Sequence, residues 1–285
     1  MPVLATVLLA LAASACWGTA DFTSGLKART VPLPLVLLVS QGLGLALAVV
    51  IVIASGRAIP AAGPVAASLG AGVCVIGGLA CFYRALATGT MSVVAPVAAT
   101  GVVIPVLVGV SGGDRLAAFQ VVGMGVAVVG VVLASRHPGD PALAGGARAH
   151  RDAIALALVS AVAFGCYFLL AHAGARGGVA WLLLLSHVTS LAGVLAVVVL
   201  VRPARPVRLR RDLGVLALAG ALDFGATGLY GLANHGGQLS IVAVAGSLYP
   251  VATVLLARWV LGERLVRLQA AGVCLALAGV ALIAA

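Results

Sequence analysis

The sequence predicts an all-α integral membrane protein, with ten transmembrane helices arranged as two inverted five-helix repeats. Three observations carry that expectation: an apolar excess too large for a water-facing globule, ten apolar runs long enough to cross a bilayer, and a self-similarity between the halves of the chain. Of 285 residues, 63% are apolar and 8% charged, against about 45–50% and about 25% in ordinary soluble domains. A globule of this size must still coat itself with polar groups, so lipid has to be the solvent over most of the surface.

The net charge of +10 raises the question of nucleic acid, and the placement of the charge answers it. Lys27 is the only lysine, and most of the sixteen arginines fall in short gaps between apolar runs. Topology signals and snorkelling anchors have that pattern, so no nucleic-acid partner is expected. Cys16, Cys74, Cys81, Cys166 and Cys274 all lie inside apolar runs without a CxxC pair. They read as small buried hydrophobes, with no metal site and no cofactor. At the N-terminus, Ala13-Ser14-Ala15 looks cleavable and Cys16 resembles a lipoprotein site. No Lys or Arg precedes the run, so the basic region of a signal peptide is missing and residues 3–24 read as a retained first helix.

A helix crossing about 30 Å of hydrocarbon needs about 20 mostly apolar residues. Such runs occur at 3–24, 31–54, 64–87, 92–110, 115–135, 153–173, 179–201, 213–234, 240–258 and 265–284. Most connections between them are short. The longest holds His137, Pro138, Asp140, Pro141, Gly145, Gly146 and Arg148, a mixture that marks a joint. The expected organisation is therefore a first repeat at 1–136, a connecting loop at 137–152 and a second repeat at 153–285. Barrel strands are excluded because the runs are continuous rather than alternating, and too long.

The halves match at their polar, glycine and aromatic positions. At an offset of 149, Asp114-Arg115-Leu116 falls on Glu263-Arg264-Leu265, Gln120 on Gln269, Gly123 on Gly272, Ala127 on Ala276 and Gly130 on Gly279. At 148, Ser92 to Ala95 falls on Ser240 to Ala243; at 147, Tyr83 falls on Tyr230 and Trp17-Gly18 on Phe164-Gly165; at 146, Ser40-Gln41 falls on Ser186-His187. Five spans per repeat is an odd number, so the second copy enters the membrane from the opposite side. Secondary transporters use this plan, with the binding site near the midplane between the halves. A duplicated scaffold without a transport role is the plainer reading of the same pattern.

Trp17-Gly18 in the first span and the closing pattern of the second repeat carry a resemblance. That pattern runs from Ser240 to Pro250, through Leu261-Gly262-Glu263-Arg264-Leu265, to Gln269, Gly272 and Gly279. These residues resemble the drug/metabolite transporter superfamily, EamA-like branch, over nearly the whole chain. The first repeat departs by having Gly113-Asp114-Arg115, which keeps the carboxylate one methylene shorter. The resemblance implies ten helices around a central cavity. It also implies movement of amino acids, nucleotide-related compounds or other metabolites, by proton coupling or facilitated diffusion.

Of seven acids, Asp114, Asp140, Asp152, Asp212 and Glu263 fall in loops or at helix edges, whereas Asp21 and Asp223 lie within apolar runs. An ionisable group at membrane depth normally faces the protein interior or a water-filled cavity. Asp223 is halfway along the eighth span, where the first repeat has Ile76. It either binds a proton or a substrate ammonium, or makes a polar contact between helices. Asp21 follows Trp17 by four residues and shares its helix face; it is read as a second proton-coupling residue or as a boundary ion pair with Lys27 or Arg29. Trp17, Asp223, Tyr230, Asn234, His235 and Tyr249 are the expected substrate-binding residues, each with packing as the plainer alternative. Pro96, Pro105 and Pro250 predict bent fourth and ninth helices, because proline lacks the N–H that the ladder needs. His187 reads as an interhelical hydrogen-bond partner. No Gly-rich loop followed by Lys-Ser or Lys-Thr occurs, so no ATP motor is encoded.

Loops joining spans 1–2, 3–4, 5–6, 7–8 and 9–10 hold 14 of the Lys and Arg residues, against 3 on the other side. The basic side is expected to be cytoplasmic, which turns both termini outward; the resemblance implies inward termini. The expected function is a secondary transporter of a small metabolite in the cytoplasmic membrane of a bacterium. Its partners are that substrate and the lipid bilayer, with a homodimer as an option. The rivals are an uncoupled facilitator or channel, a lipid scramblase and an intramembrane enzyme. The last is disfavoured because Ser186 and His187 are adjacent, so they point to different helix faces, and no two in-span carboxylates lie one helical turn apart.

Overall fold

The computed structural model describes residues 3–113, 117–135, 146–201, 209–234, 238–262 and 267–284. These residues are helical apart from short turns, with no strand among them. The first five helices are α1 (Val3–Lys27), α2 (Leu33–Ser55), α3 (Ala62–Thr88), α4 (Met91–Ala99) and α5 (Val103–Ser111), the last two joined by a 3-10 turn at Thr100–Val102. Then follow α6 (Ala118–Ser135), α7 (Gly146–Ala175), α8 (Val179–Val201), α9 (Leu209–Ala233), α10 (Leu239–Gly246), α11 (Tyr249–Leu261) and α12 (Arg267–Ala284).

Eight segments are long and apolar enough to cross a membrane: Val3–Lys27, Leu33–Ser55, Ala62–Thr88, Val94–Ser111, Arg151–Ala175, Val179–Leu200, Asp212–Ala233 and Leu239–Leu261. The helices α6 and α12, 18 residues each, cover the fifth and tenth expected runs. Large apolar side chains point outward over the surface, with Leu200 82%, Ile53 76% and Trp259 75% exposed. Exposure on that scale suits lipid and not water.

Local chemistry sets the ends and the breaks. Helix α2 starts on Pro32 and carries a proline in its first turn, where a missing N–H costs nothing. It stops at Gly56, whose left-handed φ of 56° returns its N–H to the Ile53 carbonyl. The fourth run breaks between Pro96 and Pro105, and the ninth just ahead of Pro250, as the prolines predict. Two edges differ from expectation. Helix α1 continues to Lys27, which places Asp21 well inside it, and α7 begins at Gly146, within the stretch read as a connecting loop. Pro138 and Pro141, which could not sit in a helix interior, precede that start.

The helix contacts recur when the two halves are exchanged. Helix α1 packs on α9 and on the broken pair α10 and α11; α7 packs on α3 and on the broken pair α4 and α5. Helix α2 packs on α9 as α8 does on α3, while α2 meets α8 and α6 meets α12. Two close crossings recur too. A Cβ at Gly18 would meet the Tyr249 carbonyl, and one at Gly165 the Gly101 carbonyl. The Gly101 carbonyl lies in the break between α4 and α5, and the approach of α7 to it leaves no room for a side chain at residue 165.

Two loop contacts define the ends of the bundle. Lys27 at the end of α1 pairs with Asp212 at the start of α9, at 2.6 Å. At other loops, the Arg57 side chain reaches Gly178, and Gly177 lies against Pro60 and Pro64.

Candidate functional site

One cavity gathers residues from α1, α3, α7, α9 and α11. Helix α1 contributes Trp17 and Asp21, α9 contributes Asp223, and α11 contributes Tyr249. Val75 and Leu79 of α3 and Phe164, Tyr167 and Phe168 of α7 form the remaining wall. The spacing of Trp17 and Asp21 by four residues puts both on one face, and the packing of α1 on α9 turns that face toward Asp223.

Both acids are buried, Asp21 at 5% and Asp223 at 6% exposure. The Tyr83 hydroxyl donates to Asp21 Oδ1 at 3.1 Å. Gln41 Nε2 of α2 donates to Asp223 Oδ2 at 3.4 Å, and the Trp17 side chain is a second donor facing Asp223. The two carboxylates are near enough to interact electrostatically. The expected ion pair between Asp21 and the loop bases does not form. Lys27 turns instead to Asp212, and Arg29 reaches the Leu86 carbonyl; the extra length of α1 carries the bases beyond the reach of a side chain six residues back.

Every described Arg with an assigned exposure is exposed: Arg29, Arg57, Arg84, Arg151, Arg176, Arg258 and Arg267. Among these residues no base therefore neutralises the two acids. The buried Tyr249 hydroxyl has no hydrogen-bond partner among the described residues, and it is electrostatically coupled to Asp21. Trp17 stacks at tilted or edge angles on Tyr230 at 5.5 Å, Phe168 at 5.8 Å and Tyr167 at 6.1 Å between centroids.

The structure thus brings together Trp17, Asp21, Asp223 and Tyr249. Tyr230 stands behind the cavity wall, fully buried, with its hydroxyl donating to the Phe168 carbonyl at 3.4 Å. Asn234 lies at the end of α9, where its amide donates to the Tyr230 carbonyl at 2.9 Å and its oxygen meets His172 Nδ1 at 2.6 Å. Neither lines the cavity, because their turns of α9 face α7 and not its interior. His235 lies outside the described residues. Gln41 and Tyr83 entered the sequence reading only as positions matched between the halves, not as site residues, and Tyr167 and Phe168 did not enter it at all.

No curated protein matches the sequence. A solved crystal structure superposes with a TM-score of 0.73 over 97% of this chain and 95% of its own, at 18% identity. At that identity the likeness speaks for the fold alone. Residues 152–285 match the model of the EamA-like transporter family, so the second half of this chain is similar to that family.

Proposed function

We propose that this multi-pass membrane protein is a proton-linked secondary transporter that moves a small metabolite across a bacterial cytoplasmic membrane. Two inverted repeats, 1–136 and 153–285 joined through 137–152, would exchange conformations to open the cavity to each side in turn. The exchange of helix pairings between the halves supports the repeat. The loop contacts support the inversion, since the loop after α1 meets the start of α9 while the loop after α2 meets the loop after α7.

The observation that carries the reading is the pair of buried carboxylates, Asp21 and Asp223, on one cavity between the halves. Two bare carboxylates in an apolar interior are far too costly to persist side by side. The site must hold a proton or a cation in each state it visits, and exchange of one for the other links cargo to the proton gradient. Gln41 and Tyr83 hold the carboxylates in place with one donor each. No catalytic role is assigned, in keeping with a family of transporters.

Reconstitution in liposomes tests this. A mixture of labelled amino acids and other small metabolites is loaded, and flux is followed with and without a pH gradient, in the native chain and in Asp223→Asn. Gradient-driven flux that the substitution abolishes is the expected result. Flux indifferent to both gradient and substitution would make the protein an uncoupled facilitator and Asp223 a packing residue.

A further inference from the structure

We infer that the cargo of this site is a small protonated amine with an apolar body and no carboxylate of its own. The inference rests on the transporter reading above and narrows it to a class of compound.

Charge excludes the alternatives. The cavity presents two acids, while Lys27 is committed to Asp212 and the described arginines of known exposure face outward. His187, buried between α2, α8 and α9, packs on Gly44 and Phe224 and is bonded to the Leu183 carbonyl. Among the described residues an anionic cargo would therefore meet only like charge, and the carboxylate of an amino acid would lie beside Asp21 and Asp223 with no described base to pair it. An ammonium does the reverse and neutralises them.

The Tyr249 hydroxyl is the second, independent pointer. It is buried at 3% exposure, lines the same cavity, interacts with Asp21 and has no hydrogen-bond partner among the described residues. An orphaned buried hydroxyl is costly, and an ammonium N–H would satisfy its lone pairs. Trp17 adds an aromatic wall able to hold a cation over its face.

The repeat shows where the rest of the cargo lies. Raising residue numbers by 147 takes Asp21 to Phe168, and lowering them takes Asp223 to Ile76. The helix pair α1 and α9 thus carries both acids, and its counterpart, α7 and α3, presents Phe168, Phe164, Val75, Leu79 and Tyr167, whose hydroxyl donates to Thr227, to the same cavity. A scaffold that pairs its helices symmetrically lines one side with charge and the other with uncharged aromatic and aliphatic side chains. That suits a molecule charged at one end and apolar at the other.

The groups facing Asp21 are Tyr83 from α3, Tyr249 from α11 and Asp223 from α9; those facing Asp223 are Asp21 and Trp17 from α1, Gln41 from α2, Tyr83 from α3 and Tyr167 from α7. None of them carries positive charge, so an arriving ammonium displaces protons held by the acids.

The test uses three probes with one body: phenethylamine, phenylalanine and 3-phenylpropionate. Binding to the purified full chain is measured by calorimetry in two buffers of different ionisation enthalpy, which counts protons released. Phenethylamine should bind with proton release, phenylalanine at least about tenfold more weakly, and 3-phenylpropionate not at all. Asp21→Asn and Asp223→Asn should each weaken phenethylamine at least about tenfold. Tyr249→Phe, which keeps the ring and the packing, should weaken it about threefold to tenfold and serves if an Asn variant fails to fold. Phenylalanine or 3-phenylpropionate binding as tightly as the amine overturns the inference. So does absence of amine binding, or binding that survives substitutions in folded protein. Liposome flux of the same probes separates the two claims. Amine bound but never carried defeats the transporter reading alone, and phenylalanine carried under a pH gradient defeats the cargo class alone.

Discussion

The Tyr83 hydroxyl donates to the Asp21 carboxylate at 3.1 Å across the boundary between α3 and α1. Its counterpart 147 residues on, Tyr230, makes the equivalent crossing from α9 to α7, where it finds Phe168 in place of an acid and donates to that residue's backbone carbonyl at 3.4 Å. Two tyrosines in equivalent places thus do different work, one orienting a charged group and the other tying two helices together. Removing the first hydroxyl takes a donor from a buried carboxylate, worth about 1.5–3 kcal/mol, while the second bond is worth about 1 kcal/mol. Tyr83→Phe should lower liposome flux about tenfold or more, and Tyr230→Phe less than about threefold. Equal losses would show that the two hydroxyls share a structural role.

Close crossings at glycine should limit stability. Gly18 and Gly165 each sit where a Cβ would run into a carbonyl of a broken helix, and backbone cannot move aside as a side chain can. Gly18→Ala and Gly165→Ala should each destabilise the detergent-solubilised protein by about 1–3 kcal/mol, read as a fall in thermal midpoint. Gly225, on α9 with open space around its Cβ position, is the control. There Ala should be neutral or stabilising by up to about 1 kcal/mol.

Lys27 and Asp212 tie the end of α1 to the start of α9 at 2.6 Å, with side chains 26% and 22% exposed. A partly wet pair of this kind contributes little to stability, so a double-mutant cycle should give a coupling below about 1 kcal/mol. Its position matters more, since α1 and α9 also carry Asp21 and Asp223. If these helix ends separate during transport, cross-linking Lys27→Cys to Asp212→Cys with a short thiol reagent, in a chain freed of its five native cysteines, should cut flux more than about tenfold. Undiminished flux in the cross-linked protein would show that the two ends stay together through the cycle.

The basic loops predict the orientation. The Lys27 contact with Asp212 puts the first connection and the start of α9 on one face, and the Arg57 contact with Gly178 puts two sparsely charged connections together. With the basic face cytoplasmic, cysteines introduced at either terminus should react with an impermeant thiol reagent in intact cells. Labelling only after permeabilisation would place the termini inside.

The sequence alone announces that lipid surrounds this protein, where most of its helices run and where prolines break them. Each of these follows from composition or from spacing along one chain, and each can be read in a single run of residues. It also marked Asp21 and Asp223 as exceptional, because a carboxyl in an apolar run is conspicuous on its own. Tertiary structure decided what those acids meet. Gln41 reaches Asp223 across 182 residues, Tyr83 reaches Asp21 across 62 and Lys27 reaches Asp212 across 185. Helical periodicity says which residues share a face, but not which neighbour that face will touch. In α8 and α9 the apolar residues are spread around the whole helix, so even the inward face leaves little pattern, because lipid and protein interior ask for the same kinds of side chain. That is why Asn234 could be expected in the cavity and is found bonded to His172, and why Tyr167 and Phe168, ordinary aromatics in an apolar run, became a wall of the site only once α7 was packed against its neighbours.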